Sequence, residues 1–156
     1  MANIVTKTVI LDSPKNAIVA VYMQSDGVEG ELSSFVLVDP STDFNDSPLG
    51  LRMSVLQVWH SFSWFDGLLT FADTQNYPAW QLTRDTINYS DFRYFGGIKD
   101  GSDMSGTGQL LLTTNGFSVQ AGNVGTLIVE VRKNNPQTTG VYTPPLPPVF
   151  TNRSNS

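Results

Sequence analysis

Histidine, the side chain most often used as a general base near neutral pH, occurs once in the chain, at His60. It follows Trp59 within an alternating segment, which indicates a mid-strand position with apolar neighbours on the same face. Proton abstraction would need an orienting carboxylate and a nucleophile within hydrogen-bond reach of the imidazole. No motif supplies them. We therefore predict a structural or interface role for His60, no catalytic residues and no enzymatic activity, with catalysis ranked third among the functional hypotheses.

The glycine-rich stretch from 96 to 108 is the only other segment whose residue types could bind an ion. Asp100 and Asp103 offer the hard oxygen ligands that calcium prefers, but the alternating acidic positions and final glutamate of a calcium loop are missing. The five glycines do not form a phosphate cradle, because no Lys-Ser or Lys-Thr follows them. The sequence predicts a mobile, solvated loop, with no metal and no cofactor.

Composition excludes several classes of partner. The chain has 156 residues, with nine basic and fourteen acidic side chains and a formal net charge of −5. No positive excess is present to neutralise phosphates or to hold an anionic membrane surface, so we expect neither nucleic acid nor a membrane as partner. Cysteine is absent, so neither disulfides nor thiolate-bound metal contribute to the fold.

Apolar and polar residues alternate in many short segments, and this period of two is typical of half-buried strands. The predicted strands are 3–11, 17–24, 31–38, 51–65, 68–72, 79–83, 89–95, 109–113, 117–120 and 126–133. Turn residues separate them at about ten-residue spacing, and no segment has the helical period. The sequence thus predicts an all-β fold, an antiparallel β-sandwich of jelly-roll type over residues 1–133.

Residues 134–156 form a separate, proline-rich tail, which contains five of the nine prolines. Proline fixes φ and lacks a backbone donor, so the segment favours an extended polyproline II path. Fixing some twenty residues costs about 20 kcal/mol or more of backbone entropy. Burying Leu146, Val149 and Phe150 returns only about 5 to 9 kcal/mol. We therefore predict an arm that becomes ordered on a partner.

The predicted contact set of the arm is Pro144, Pro145, Leu146, Pro147, Pro148, Val149 and Phe150, with residues 1–3 as a possible addition. Two other interpretations of the tail remain open. One is an end that never becomes ordered, and the other is a PxxP ligand for an SH3-like groove.

Aromatic residues are concentrated between positions 59 and 95, and most of them are expected to fill the core, since each ring buries 150 to 250 Å². Trp64, Tyr77 and Trp80 are different because they lie beside turns rich in Asp and Asn. Rings exposed there could stack on sugars or anchor another subunit. A carbohydrate- or receptor-binding module is therefore the alternative function that the residues suggest.

Several short segments follow the N-terminal strand pair in order: Val38-Asp39-Pro40-Ser41, Val58-Trp59-His60-Ser61, Tyr94-Phe95-Gly96-Gly97, Gly106-Thr107-Gly108, and the run 125–133. In this order they resemble small virion structural proteins of tailed bacteriophages, over residues 3–133. The resemblance implies a non-enzymatic β-sandwich that decorates or cements a capsid, or forms part of the neck or tail. The proline-rich tail lies outside it.

From the resemblance and the tail together, we expect a decoration protein whose arm crosses capsomer boundaries. Its partners would be the major capsid protein or other virion proteins, and it would form a homo-oligomer. It would be assembled in the host cytoplasm and reside in the virion, most simply on the capsid surface.

Overall fold

A computed structural model describes residues 2–44, 52–72, 77–84, 87–100 and 108–134. The proposed arm contacts at 144–150, and Asp103 in the glycine-rich loop, lie outside these ranges. The described chain contains ten strands, β1 to β10 in chain order, and one short helix, α1. Their bounds are Ile4–Asp12, Asn16–Gln24, Phe35–Val38, Arg52–Phe62, Asp66–Phe71, Tyr77–Leu82, Ile87–Asp91, Ile98–Lys99, Leu110–Asn115 and Val124–Asn134 for the strands, and Pro40–Asp43 for α1.

The strands form two sheets, and every pair of neighbouring strands within a sheet is antiparallel. The larger sheet has the order β1-β2-β10-β4-β7, with β8 also paired to β4. The smaller sheet has the order β3-β9-β5-β6. This confirms the all-β, antiparallel and sandwich-like part of the prediction. None of the helices in the described chain is long and apolar enough to cross a membrane.

One hydrophobic core lies between the sheets, and strands β2 and β10 contribute every second residue to it. Strand β2 buries Ala17, Val19, Val21 and Met23, and β10 buries Leu127, Val129 and Val131. The alternation predicted for β10 is confirmed, because Glu130 and Arg132 lie on the opposite face. From the smaller sheet, Leu69, Phe71, Leu82, Leu110 and Leu112 also belong to the core.

The predicted strand at 51–65 ends earlier than its sequence pattern, at Phe62. Trp64 has a positive φ of 61°, so the chain turns there and this ring leaves the face that continued alternation would have given it. Phe65 is instead turned into the core, where it stacks on Phe62 at 4.5 Å between ring centroids. Core packing of one aromatic ring thus outweighs the local pattern.

The predicted strand at 117–120 is wrong, because Phe117–Val119 is a 3-10 turn. Gly116 enters it with φ at 93°, and the Glu31 carboxylate accepts hydrogen bonds from the backbone N–H groups of Phe117 and Ser118. Those donors are therefore satisfied by a side chain from a distant loop instead of a strand neighbour. The alternation of apolar and polar residues along the sequence gives no information about a partner so far away in the chain.

Two further boundaries differ from the prediction. The strand expected at 31–38 begins only at Phe35. The strand expected at 89–95 ends at Asp91 and is followed by a 3-10 turn at Arg93–Phe95. The expected loop from 96 includes the short strand β8, which pairs with β4. At Gly97 a side chain would lie 2.9 Å from the carbonyl oxygen of Val55, so glycine permits this close approach.

Candidate binding surfaces

His60 lies in the interior, with 3% of its surface exposed. Its Nε2 lies 3.1 Å from the carbonyl oxygen of Thr83, so this nitrogen donates, and its ring meets Phe62 edge-on at 5.2 Å. Nδ1 is buried, with no hydrogen-bond partner among the described residues. Burial lowers the pKa of His60, and the bond to Thr83 opposes this only in part. The surroundings are those of a neutral core histidine.

Of the two aspartates considered as calcium ligands, only Asp100 lies within the described residues, and its side chain is directed into the body of the protein. Only 5% of the residue is exposed, and its carboxylate lies 3.9 Å from Nε of Arg52. Within the described ranges, no three His, Asp or Glu side chains are grouped closely enough to hold a metal ion. At this position the structure therefore shows a buried ion pair between Asp100 and Arg52.

The structure places all three of the predicted surface aromatics at the surface. Trp64 is 65% exposed in the turn before β5, whereas Tyr77 and Trp80 are 46% and 40% exposed on β6. Because Gly67 pairs with Leu82 and Phe71 pairs with Tyr77, Trp64 lies toward the end of β6 that is opposite to Tyr77. The three rings therefore do not form one compact platform.

Trp80 instead belongs to a continuous row of rings, here called the aromatic strip: Trp80, Phe92, Phe95 and Tyr94. Ring centroids are 4.7 Å apart from Trp80 to Phe92, 6.1 Å from Phe92 to Phe95 and 4.9 Å from Phe95 to Tyr94. Phe92 is buried, but Phe95 is 55% and Tyr94 86% exposed. Strands β6 and β7 are the edges of their sheets, so the strip joins one edge to the other.

Hydrogen bonds fix the turn that carries the strip. The Asp91 carboxylate accepts from the backbone N–H of Arg93 at 3.0 Å and from its guanidinium at 2.9 Å. These bonds lower the pKa of Asp91 to about 2. The N–H of Phe92 donates to the Leu56 carbonyl, and Nη2 of Arg132 donates to the Gly96 carbonyl at 2.8 Å. The exposed rings are therefore presented on an ordered support.

Sequence reasoning missed the strip because Phe92, Tyr94 and Phe95 were assigned to a strand, where alternate rings would point to opposite faces. A usable signal was the pair Gly96-Gly97 directly after them. Both glycines have positive φ, and Gly96 ends the 3-10 turn Arg93–Phe95 that follows the last strand residue, Asp91.

A second surface lies on the outer face of the larger sheet, and we call it the Trp59–Tyr89 pocket. Trp59 and Tyr89 are direct cross-strand neighbours on β4 and β7, and their rings stack at 5.2 Å with 24° between planes. The pocket holds about 200 Å³ and is lined by Trp59, His60, Ser61, Asn88, Tyr89, Thr126 and Ile128. The surface that lines it is almost entirely apolar.

A row of hydrogen bonds fixes the Tyr89 ring from the side. The Tyr89 hydroxyl donates to Oε1 of Gln57 at 2.5 Å, and Nε2 of Gln57 donates to Oε1 of Glu130. Asn16 donates to the other carboxylate oxygen of Glu130 at 3.1 Å. The row crosses four strands, so the orientation of Tyr89 depends on the assembled sheet.

Neither a protein-family model, nor a curated protein, nor a solved structure matches this chain. Its function must therefore be inferred from its own side chains. The two surfaces that the described residues build, the aromatic strip and the Trp59–Tyr89 pocket, are both suited to binding. Neither contains a nucleophile held by an adjacent base.

Proposed function

We propose that this protein is a non-enzymatic virion structural protein, which decorates or cements the capsid of a tailed bacteriophage. Its β body, of jelly-roll type, would sit on the shell, and the proline-rich arm would reach an adjoining protein. The major capsid protein and other virion proteins are the proposed partners, and the chain itself would form a homo-oligomer. The observation that carries this proposal is the aromatic strip.

Exposed aromatic rings in a continuous row are unusual on a surface that faces only water, and they are enriched at the centres of protein interfaces. Tyr94 and Phe95 present large rings on a turn that is already ordered, so burying them against a partner would cost little conformational entropy. Their position between the two sheet edges lets one partner cover both edges at once. Covering sheet edges also protects them from unwanted strand pairing.

The end of β10 lies beside the strip, because Arg132 binds the Gly96 carbonyl and Asn134 bonds to Ser54 on β4. Asn134, the last described residue of β10, therefore lies near the turn that carries the exposed rings, because Ser54 is close to Gly97. A partner that covers the strip would also be within reach of the arm. Body and arm can therefore contribute to one continuous contact.

Capsid symmetry would multiply such contacts. A strip and an arm that each bind weakly can together hold a shell, since linked sites raise the effective concentration of one another. This accounts for a function without any single deep site. It also agrees with the net charge of −5, which gives no attraction to packaged nucleic acid.

The test is co-sedimentation with purified particles of the source virus, combined with a mass-spectrometric inventory of those particles. We expect Tyr94→Ala with Phe95→Ala, or deletion of residues 136–156, to weaken particle binding at least tenfold and to lower particle heat resistance. Val119→Ala is the matched control, because Val119 is 82% exposed on the other 3-10 turn. Absence of the protein from particles, or unchanged binding by both variants, would refute the proposal.

Location within the virion has its own measurement. Trimers bound to heads would place the protein on the capsid, whereas rings of six would place it in the neck or tail. Native mass spectrometry of the isolated chain and electron microscopy of labelled particles distinguish these arrangements.

The second candidate function is a carbohydrate- or receptor-binding module, and the exposure of Trp64, Tyr77 and Trp80 favours it. Half-exposed tryptophan and tyrosine rings combine an apolar face with a polar atom, which suits contact with sugars as well as with proteins. A glycan array probed with the folded chain tests it. Failure to bind any glycan would exclude this candidate and leave the capsid proposal untouched.

A further inference from the structure

We propose that the outer face of the larger sheet is the surface through which two copies of this chain pair across a twofold axis. This inference rests on the homo-oligomer of the proposed function and names the surface that forms it, but it does not need the capsid role. Twofold pairs can assemble into a ring of six, whereas a closed trimer contains none. The exposure, size, shape and charge of the face all favour a second copy as the partner.

The side chains on this face that point away from the core are largely apolar. On β2 every second residue is buried, so Tyr22 points outward, where it is 43% exposed. Ile4 on β1, Val124 on β10 and Tyr89 on β7 are exposed as well. Monomeric soluble proteins rarely expose a contiguous apolar patch that extends over several strands, so this face is expected to be covered.

Strand register joins these residues into one patch, here called the apolar face. It consists of three rows of cross-strand neighbours, which are centred on Val124, Thr126 and Ile128 of β10. The row through Ile128 continues to Trp59 on β4 and Tyr89 on β7. With about 4.8 Å between strands and about 6.8 Å between rows, the face covers roughly 450 Å² per copy and twice that per pair. Interfaces of this size are at the low end for specific contacts, so we expect a reversible dimer with a Kd on the order of 10 μM.

The apolar face is complementary to itself in shape, which a contact between two identical surfaces requires. Tyr22 points outward on one side of β10, the central strand of the order β1-β2-β10-β4-β7, and the Trp59–Tyr89 pocket lies mainly on the other side. Both are at the same height along the strands, because Tyr22, Thr126 and Ser61 are cross-strand neighbours and the last two line the pocket. A twofold axis along β10 in the plane of contact therefore places Tyr22 of each copy over the pocket of the other. The pocket holds about 200 Å³, and an apolar cavity of about 150 Å³ accommodates benzene, so one tyrosine ring fits.

The charge of the apolar face also suits a second copy. Each chain carries a net charge of −5, so two copies repel each other least where uncharged surfaces meet. The described residues of the three rows include no Asp, Glu, Lys or Arg. Glu130, the next outward residue along β10, accepts hydrogen bonds from Gln57 and Asn16 on separate oxygens, so its own copy already satisfies it. A charged partner would find no opposite charge in these rows.

The experiment is sedimentation velocity of the full-length chain at concentrations from about 1 to 200 μM, which bracket the expected Kd. We expect a reversible equilibrium between monomer and dimer in the wild type. Tyr22→Ala should weaken the dimer by about tenfold or more, because each copy loses the ring that enters the pocket of the other. Val119→Ala should change the Kd by less than about twofold, since Val119 is exposed on a 3-10 turn that is not part of the apolar face.

A charge swap on the central strand tests the twofold geometry. Thr126 is exposed in the middle row of the apolar face, so a twofold axis along β10 brings it close to its own counterpart. Thr126→Lys and Thr126→Glu should each prevent pairing, because like charges meet, and their equimolar mixture should form a mixed dimer. Recovery in the mixture also shows that both variants are folded. Val119→Lys adds the same charge outside the face and should dimerise as the wild type does.

The possible results are distinguishable. A wild type that stays monomeric at the highest concentration overturns this inference and the proposed homo-oligomer together. Self-association that Tyr94→Ala weakens and Tyr22→Ala does not would assign the contact to the aromatic strip and overturn this inference alone. Dimers formed by the chain without residues 136–156, but not by the full chain, would show that the tail covers the face, which also overturns it. A twofold dimer that is absent from purified particles leaves the inference intact and refutes only the capsid proposal.

Discussion

Substituting alanine at Gly125 tests whether the aromatic core is packed without spare room. A side-chain carbon built on Gly125 would lie 2.6 Å from Cζ of Phe65 and 2.8 Å from Cδ1 of Phe62. Carbon atoms in contact prefer about 3.5 to 4.0 Å, so one or both rings would have to move by about 1 Å. Both rings are buried, and Phe65 also meets Phe117 edge-on at 5.0 Å between ring centroids. The displacement therefore cannot stay local.

Overpacking of this kind costs about 1 to 3 kcal/mol. Replacing glycine with alanine also restricts the unfolded chain, which returns about 0.4 to 1 kcal/mol. We expect Gly125→Ala to lower the free energy of unfolding by about 1 to 2 kcal/mol. For a domain of this size, each kilocalorie corresponds to roughly 2 to 4 °C in Tm. Urea denaturation followed by tryptophan fluorescence measures the change directly.

A double-mutant cycle with Phe65→Leu identifies the cause. The smaller leucine removes the ring atom nearest to the new carbon, so it destabilises the wild type but should partly relieve Gly125→Ala. We expect a favourable coupling of about 1 kcal/mol between the two substitutions. Thr126→Ala, on the outward face of the same strand, should change stability by less than about 0.5 kcal/mol. Unchanged stability of Gly125→Ala, or strictly additive effects, would refute the reasoning.

Three further predictions concern groups whose partners the structure reveals. Burial lowers the pKa of His60 below its ordinary 6.5, so the stability that the neutral ring contributes is complete above pH 6.5 and is lost as the pH falls below it. The free energy of unfolding should therefore fall less between pH 7.5 and 5.5 in His60→Gln than in the wild type. An equal fall in both proteins would contradict this. Glu31→Ala should cost about 1 to 3 kcal/mol in urea denaturation, since the N–H of Phe117 loses a charged acceptor, whereas Glu31→Gln should cost less; equal losses would argue against a role for the charge. Asp91→Asn should loosen the turn of the aromatic strip, which hydrogen exchange would register as faster exchange at the Gly97 amide with the core amides unchanged; unaltered exchange would show that the backbone bonds suffice.

The strand content was predictable because burial on one face imposes a period of two that a single sequence displays. Strands β2 and β10 show this best, with alternate residues buried along most of their length. The prediction failed where a distant side chain supplied the hydrogen bonds. At Phe117 the partner is Glu31, 86 residues away along the chain. No local pattern contains that information.

The candidate surfaces show the same division. The sequence context of Trp64, Tyr77 and Trp80 indicated surface positions, since rings beside turns rich in polar residues seldom enter a core. It did not join Trp80 to Phe92, because Trp80 lies on the edge strand of one sheet and Phe92 directly follows the edge strand of the other. It also left Trp59 and Tyr89 apart, although their register on β4 and β7 makes them stack.

The sequence by itself determined that the chain forms antiparallel strands around one apolar core. Alternation, turn residues and net charge are local or additive properties, so they can be summed along the chain. Only the tertiary structure decided that β10 lies between β2 and β4, and which rings meet at the surface. Strand order and register depend on contacts between residues far apart in sequence, and those contacts exist only once the sheets have closed on their common core.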